Sequence, residues 1–195
     1  MQKVIVIVGP TGSGKTKLSL AVAKHFGLDI INGDAVQVYQ ELNIGSAKIL
    51  PDEMAGIKHH LLNVAQIEKP YSVFDFQNDV RACLNQQHIG LIVGGTGLYI
   101  KAALYDYEFD VDAKPVDESL YQDVETETLY HELLKLDPNT LVDSKHRRRL
   151  VRALEMAKRG HLRSQKDKKN EPLYDVLTIY LDIDRTLLEE KLVFR

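Results

Sequence analysis

The apolar run Val4-Ile5-Val6-Ile7-Val8 leads straight into Gly9-Pro10-Thr11-Gly12-Ser13-Gly14-Lys15-Thr16, which fills every position of a phosphate-binding loop. A buried-type strand, a glycine-rich turn and an amphipathic stretch from Lys15 to Phe26 constrain the fold more than any other feature. The glycines let the backbone bend until several N–H groups point into one concave nest; Lys15 adds positive charge, and the Thr16 hydroxyl suits a magnesium ion. The helix that follows aims its positive end at the same place. Gly9 through Thr16 is therefore the expected seat of a phosphate or diphosphate.

The rest of the chain supplies strands and helices in alternation. Leu28 to Ile31 reads as a second short strand, and Asn32-Gly33 then leaves Asp34 at the carboxyl edge of the sheet, where open α/β sheets place ligands. Gln37 to Asn43 reads as a short helix. Ser72 caps a helix to Gln87 whose Val73, Phe76, Val80 and Leu84 form an apolar stripe. Leu91 to Val93 is a further buried strand, closed by Gly94-Gly95-Thr96-Gly97. Glu125 to Leu136 and Lys145 to Arg159 read as helices, Asp175 to Asp182 as a strand, and Asp184 as the cap of a last helix that stops at Arg195 without a cap of its own.

This order predicts an α/β fold of the P-loop NTPase-like, doubly wound type, with a mostly parallel sheet, a small helical insertion and the C-terminal part missing. The expected divisions are a phosphate-loop core over 1–104, an acidic helical insertion over 105–137, and a return to the core over 138–195 with the basic helix, a strand and the final helix. At 195 residues, 44% of them hydrophobic, one such core is within reach. No apolar run approaches the ~20 residues of a membrane span, and the single cysteine, Cys83, offers neither a disulfide nor a zinc cluster. A cytoplasmic protein with no membrane partner is the expectation.

Net charge is −3, but it is segregated. Asp106 to Asp137 carries eleven acids against two lysines, and Lys145 to Lys169 carries eleven Lys and Arg against two acids. The basic run is a candidate phosphate-contacting surface; the alternative is a solvated face that offsets the acidic one. Arg147, Arg148, Arg149 and Arg152 cannot all share one side of a helix, so about two of them are expected to reach a partner. His59-His60 could suggest a metal pair, but neighbouring side chains diverge and no third ligand is evident, so a structural role is favoured.

A motor or signalling NTPase ends an apolar strand in an acid that supports magnesium and water activation. Here Leu91 to Val93 ends in Gly-Gly-Thr, which argues against ATP hydrolysis as the main reaction. Asp34 is the other acid at the sheet edge, suited to a general base or an acceptor-positioning group, with a plain turn or capping aspartate as the alternative.

An ordered set of segments resembles the tRNA dimethylallyltransferase (tRNA isopentenyltransferase) family. They are the Gly9–Thr16 loop, Asp34-Ala35-Val36-Gln37-Val38-Tyr39, Ile44-Gly45-Ser46-Ala47-Lys48, His59-His60-Leu61, Tyr71-Ser72-Val73-Phe74-Asp75-Phe76 and Val93-Gly94-Gly95-Thr96-Gly97-Leu98-Tyr99-Ile100. Asp137-Pro138, Arg148-Arg149-Leu150-Val151-Arg152-Ala153-Leu154-Glu155, and Arg185, Leu188, Lys191 and Arg195 complete it. The resemblance implies transfer of a five-carbon prenyl group from dimethylallyl diphosphate to the exocyclic amine of an adenosine beside the tRNA anticodon, in a monomer that uses Mg2+.

By position, the resemblance gives Asp34 the attacking amine, Thr11 the bridging oxygen of the diphosphate, and Lys15, Arg185 and Arg195 its charge, with magnesium on Thr16. Residues Asp34, Ala35, Val36, Gln37, Thr96, Arg148, Arg149, Leu150, Val151 and Arg152 fall where the family touches tRNA, whose target base leaves its stack to enter a channel. Gln37 and Tyr39 would line or support the base pocket. The sequence departs from the pattern at Lys191, where arginine is usual, at Asn32-Gly33, where small Ser or Ala residues are usual, and in its short acidic insertion. The family also continues for about another hundred residues of helices, a typical domain's worth.

Three other functions remain open at the level of sequence. An adenylate isopentenyltransferase acts on a free nucleotide and would not need the basic run. A small-molecule kinase shares the loop and the acid after the second strand, but should carry an arginine-rich lid where this chain is acidic. An RNA-binding remnant is the non-enzymatic reading, against which stands the intact set Thr11, Lys15, Thr16 and Asp34.

Overall fold

The computed structural model describes residues 1–107, 109, 117–165, 171–184 and 186–189. Two compact units emerge, one formed by 1–108 with 169–195 and the other by 109–168.

The first unit is built on a five-stranded, wholly parallel sheet. Its strands are β1 (Lys3–Val8), β2 (Ile30–Asn32), β3 (His59–His60), β4 (Ile89–Gly94) and β5 (Asp175–Tyr180), in the order β3-β2-β4-β1-β5. β1 lies centrally between β4 and β5, with Val8 level with Gly94 on one side and Tyr180 on the other. The inner strands β2, β4 and β1 are largely buried, which is why they read as continuous apolar runs rather than as alternation, whereas the edge strand β5 is largely exposed.

Helix α1 (Lys15–Phe26) covers one face, where Ile7, Ala23, Ile30 and Leu91 form a buried cluster. Helices α2 (Val73–Asn85) and α3 (Gly97–Leu104) cover the other, packing Phe76, Val80, Leu84, Ile100 and Leu104 onto Val4, Val6, Ile31 and Ile92. The predicted Ser72 cap is present as a reciprocal box: Asp75 N donates to Ser72 Oγ at 3.2 Å, and Ser72 N donates to the Asp75 carboxylate at 2.8 Å. Those bonds to Ser72 hold the Asp75 carboxyl below its ordinary pKa.

One expectation is corrected here. Residues 35–38 form turns, with Tyr39 in an isolated bridge to Ala65, so the helix expected over Gln37 to Asn43 is absent. Long-range bonds claim its backbone instead: Ala65 N donates to Val38 O at 2.9 Å and Gln40 N to Ala65 O at 3.0 Å. The His59-His60 pair is an edge strand of the sheet, with His60 Nε2 2.9 Å from Asp29 Oδ2, in line with a structural role. The expected boundary between 137 and 138 falls inside the second unit.

That unit contains α4 (Thr126–Leu136) and α5 (Arg147–Lys158). Leu129 and Leu133 pack against Leu150, Val151, Ala153, Leu154 and Ala157. The basic helix therefore belongs with the acidic segment rather than with the sheet. After β5, Asp184 Oδ1 accepts from Thr186 N at 2.9 Å, the N-cap expected there, and residues 186–189 are helical.

Candidate active site at the carboxyl edge of the sheet

The carboxyl ends of β1, β2 and β4 bring the phosphate loop and Asp34 to one edge. The loop turns through Gly12 and Gly14, whose φ values of 86° and 94° exclude most side chains. Gly14 is also the residue that precedes α1, whose N-terminus no side chain among the described residues caps and which suits an anion. Lys15 Nζ donates to the carbonyls of Gly9 and Pro10, both at 2.8 Å, which lays its charge along the loop. Ser13 Oγ is buried without a hydrogen-bond partner among the described residues. A buried hydroxyl is costly to leave unpaired, and a phosphate oxygen in the loop would satisfy it. Gly9 is needed here for closeness: a Cβ on it would meet Ser13 Oγ at 2.9 Å and Leu181 O at 2.8 Å.

Asp34 follows β2 and is fixed through its neighbours. Gly33 N donates to Val93 O at 2.7 Å and Thr96 N to Gly33 O at 3.3 Å, so the backbones after β2 and β4 run together. Ala35 N donates to Thr96 Oγ1 at 3.0 Å, a structural task for a threonine expected at the tRNA. Asp34 Oδ1 accepts from Val36 N at 2.9 Å and Gln37 N at 3.4 Å. The carboxylate therefore does cap a turn, as the plain alternative held, but with one oxygen; Oδ2 takes no hydrogen bond among the described residues.

Gln37 and Tyr39 act as supports. Gln37 Nε2 donates to Ser46 O at 3.0 Å, and Tyr39 OH accepts from Tyr71 N at 3.2 Å. Sequence reasoning gave no role to Lys48, which is only 8% exposed. Its Nζ donates to Tyr39 O at 2.5 Å, Asn63 Oδ1 at 2.7 Å and Asn43 Oδ1 at 2.9 Å, joining three stretches of the loop that follows Asp34. Burial pulls its pKa down, opposed by the charge of Glu41. A buried lysine is invisible in a sequence; its neighbours in the Ile44–Lys48 segment were the only signal.

In the second unit the arginines divide by task. Arg147 donates to Tyr121 O, to Val124 O and to Thr126 Oγ1, the last two at 2.7 Å, and so ties α5 to the turn before α4. Arg148 is exposed and pairs with Glu118 at 2.8 Å. Arg149 and Arg152 are exposed. Leu150 and Val151, also expected at the tRNA, are 0% and 2% exposed, with their side chains in the core between α4 and α5. Arg185, Lys191 and Arg195 lie outside the described residues.

Among the described residues, no group of three or more His, Cys, Asp or Glu could hold a metal. The exposed Thr16 hydroxyl fits the arrangement in which magnesium takes one protein oxygen and completes its shell from substrate phosphates and water. No helix of the described residues is long and apolar enough to cross a membrane.

The IPP transferase family model matches residues 37–195. The chain is 47% identical over its full length to the tRNA dimethylallyltransferase of Acholeplasma laidlawii, covering 68% of that protein, and 46% identical to that of Phytoplasma australiense, covering 67%. It thus spans about two thirds of the length of the curated relatives it matches. Among solved structures it is similar to the tRNA delta(2)-isopentenylpyrophosphate transferase of Staphylococcus epidermidis, with a TM-score of 0.64 at 32% identity over 100% of this chain and 69% of that one. It is also similar to a eukaryotic dimethylallyltransferase acting on tRNA, with a TM-score of 0.76 at 27% identity over 97% of this chain and 51% of the other.

Proposed function

The chain belongs to the IPP transferase family, and from that membership we propose that it transfers a dimethylallyl group from dimethylallyl diphosphate to the exocyclic amine of adenosine beside the tRNA anticodon. The observation that carries this reading is the shared sheet edge. An anion-binding loop after β1 and a half-satisfied carboxylate after β2 stand at one sheet edge on either side of β4, whose end at Gly94 touches the backbone of Gly33.

The chemistry follows from those two groups. The bond between C1 of the prenyl group and the diphosphate oxygen breaks, and its electron pair leaves with pyrophosphate. The amine lone pair forms the new C–N bond, and one proton leaves the nitrogen for the Asp34 carboxylate. Negative charge grows on the diphosphate as the bond opens, and the loop N–H groups with Lys15 stabilise it there. Thr11, exposed on the loop, takes the bridging oxygen. A magnesium ion held by Thr16 and the diphosphate would supply further charge neutralisation. Asp34 Oδ2 accepts a hydrogen bond from the amine; an adenine amine is a weak nucleophile, so orientation counts for more than basicity.

The exposed Arg149 and Arg152 on α5 support a polyanionic acceptor rather than a free nucleotide. The proposal includes action as a monomer in the cytoplasm, where tRNA is found. Its test is a competition between unmodified tRNA and AMP for labelled dimethylallyl diphosphate in the presence of magnesium. Label in tRNA is the predicted result; label in AMP alone would move the assignment to the adenylate isopentenyltransferases.

A further inference from the structure

We infer that Asn32 is a positioning residue for the transfer, acting through Asp34, an inference that rests on the acceptor role proposed for that carboxylate. Asn32 is the last residue of β2 and is 5% exposed. Among the described residues, every hydrogen bond its side chain makes goes to the main chain of the acceptor loop or its neighbour. Its Oδ1 accepts from Asp34 N at 3.0 Å, and its Nδ2 donates to Asp34 O at 3.1 Å and to Leu61 O at 3.0 Å. One planar carboxamide thus grips both main-chain polar groups of Asp34 and fastens them to a second segment.

That second segment is under strain. Leu61 and Asn63 have φ of 61° and 58°, a left-handed conformation that a buried leucine avoids unless its surroundings impose it. The Asn32 bond holds Leu61 from one side, and Lys48 holds Asn63 from the other. Strain of this kind collects where a site must be kept in one geometry. Here the element kept in place is the Asp34 turn, because among the described residues the Asn32 side chain bonds only to Asp34 and Leu61. A serine in its place would carry a single hydroxyl and could not make all three bonds at once. In this chain the wider carboxamide does what that hydroxyl cannot.

The test is a double-mutant cycle between Asn32 and Asp34. Asn32→Asp keeps the shape and the Oδ1 acceptor, removes the Nδ2 donor and sets a second carboxylate beside Asp34. At saturating tRNA, kcat should fall roughly 10- to 100-fold, the cost of a displaced reacting group, while calorimetric binding of magnesium pyrophosphate is unchanged. In the Asp34→Ala background the same substitution should cause little further loss, because the group it positions is gone. Asn32→Ser, with circular dichroism as the check on folding, provides the milder second variant and should keep an intermediate kcat.

Wild-type kcat in either variant would overturn the inference, and so would losses that simply multiply with Asp34→Ala. Unfolding of both variants would assign Asn32 to stability and overturn it as well. The underlying transferase reading fails separately, if the unmutated protein transfers no prenyl group to tRNA.

Discussion

A Cβ placed on Gly94 would lie 2.2 Å from both the carbonyl carbon and the carbonyl oxygen of Gly33. The end of β2, which carries the acceptor side of the site, is therefore in direct backbone contact with the end of β4, the strand that separates it from β1 and the phosphate loop. No side chain can be inserted there without parting them.

Gly94→Ala should separate these edges, with a loss of at least about 2 kcal/mol of stability, at the upper end for an overpacked core, and with loss of transfer. Gly90→Ala, earlier in the same strand, is the control. Its Cβ would also meet an atom at 2.2 Å, but that atom is the Leu84 Cδ2 at the end of a side chain that can turn aside. Thermal melts paired with transfer assays should show a smaller stability loss and retained activity for Gly90→Ala.

The Ser72–Asp75 box predicts a pH-dependent contribution from α2. Because the folded-state pKa of Asp75 is depressed, its stabilisation is fully present above the ordinary carboxylate pKa of about 4. It is lost as pH falls through the lower folded value. Asp75→Asn should cost about 1 kcal/mol near neutral pH, the usual worth of a cap. Urea titrations at a series of pH values should show the gap between variant and wild type closing below that range.

The arginines of α5 should separate into two behaviours. Arg147→Ala removes bonds to Tyr121 O, Val124 O and Thr126 Oγ1, and leaves half-buried carbonyls wanting a donor. It should lower stability by about 1–3 kcal/mol. Arg149→Ala and Arg152→Ala should leave stability unchanged and weaken tRNA binding. Each lost phosphate contact should lower the slope of log affinity against log salt by about 1. Equal salt slopes for all three variants would contradict this division.

How much of this was legible beforehand differs by element. The strand, loop and helix from Lys3 to Phe26 were readable because a fixed spacing of glycines and Lys15 sits between two periodic segments. The α2 cap was readable because Ser72 directly precedes an apolar stripe. Helix α3 was missed: it starts on a glycine, and with Ile100, Ala102, Ala103 and Leu104 all buried it has no polar face to set a helical period. The segment 37–43 failed for the opposite reason. Local pattern suggested a helix, and bonds to residues 63–65, distant in sequence, decided otherwise.

The site divides along the same line. Lys15, Thr16 and Asp34 announce themselves by type and spacing, whereas Asn32 and Lys48 matter through partners that only folding assembles. Leu150 and Val151 show the converse. They sit inside a motif that points to RNA, yet helical geometry turns them to the core and leaves Arg149 and Arg152 outside.

The most direct measurement of the central claim is single-turnover transfer of labelled dimethylallyl from its diphosphate to unmodified tRNA, for the wild type and for Asp34→Ala, with pyrophosphate binding measured on both. The account predicts label on the adenosine beside the anticodon for the wild type, and a loss of transfer by roughly 100-fold or more in the variant, the scale of a lost acid–base group, with pyrophosphate bound equally by both. Undiminished transfer by Asp34→Ala, or no transfer by the wild type to any tRNA, would contradict it.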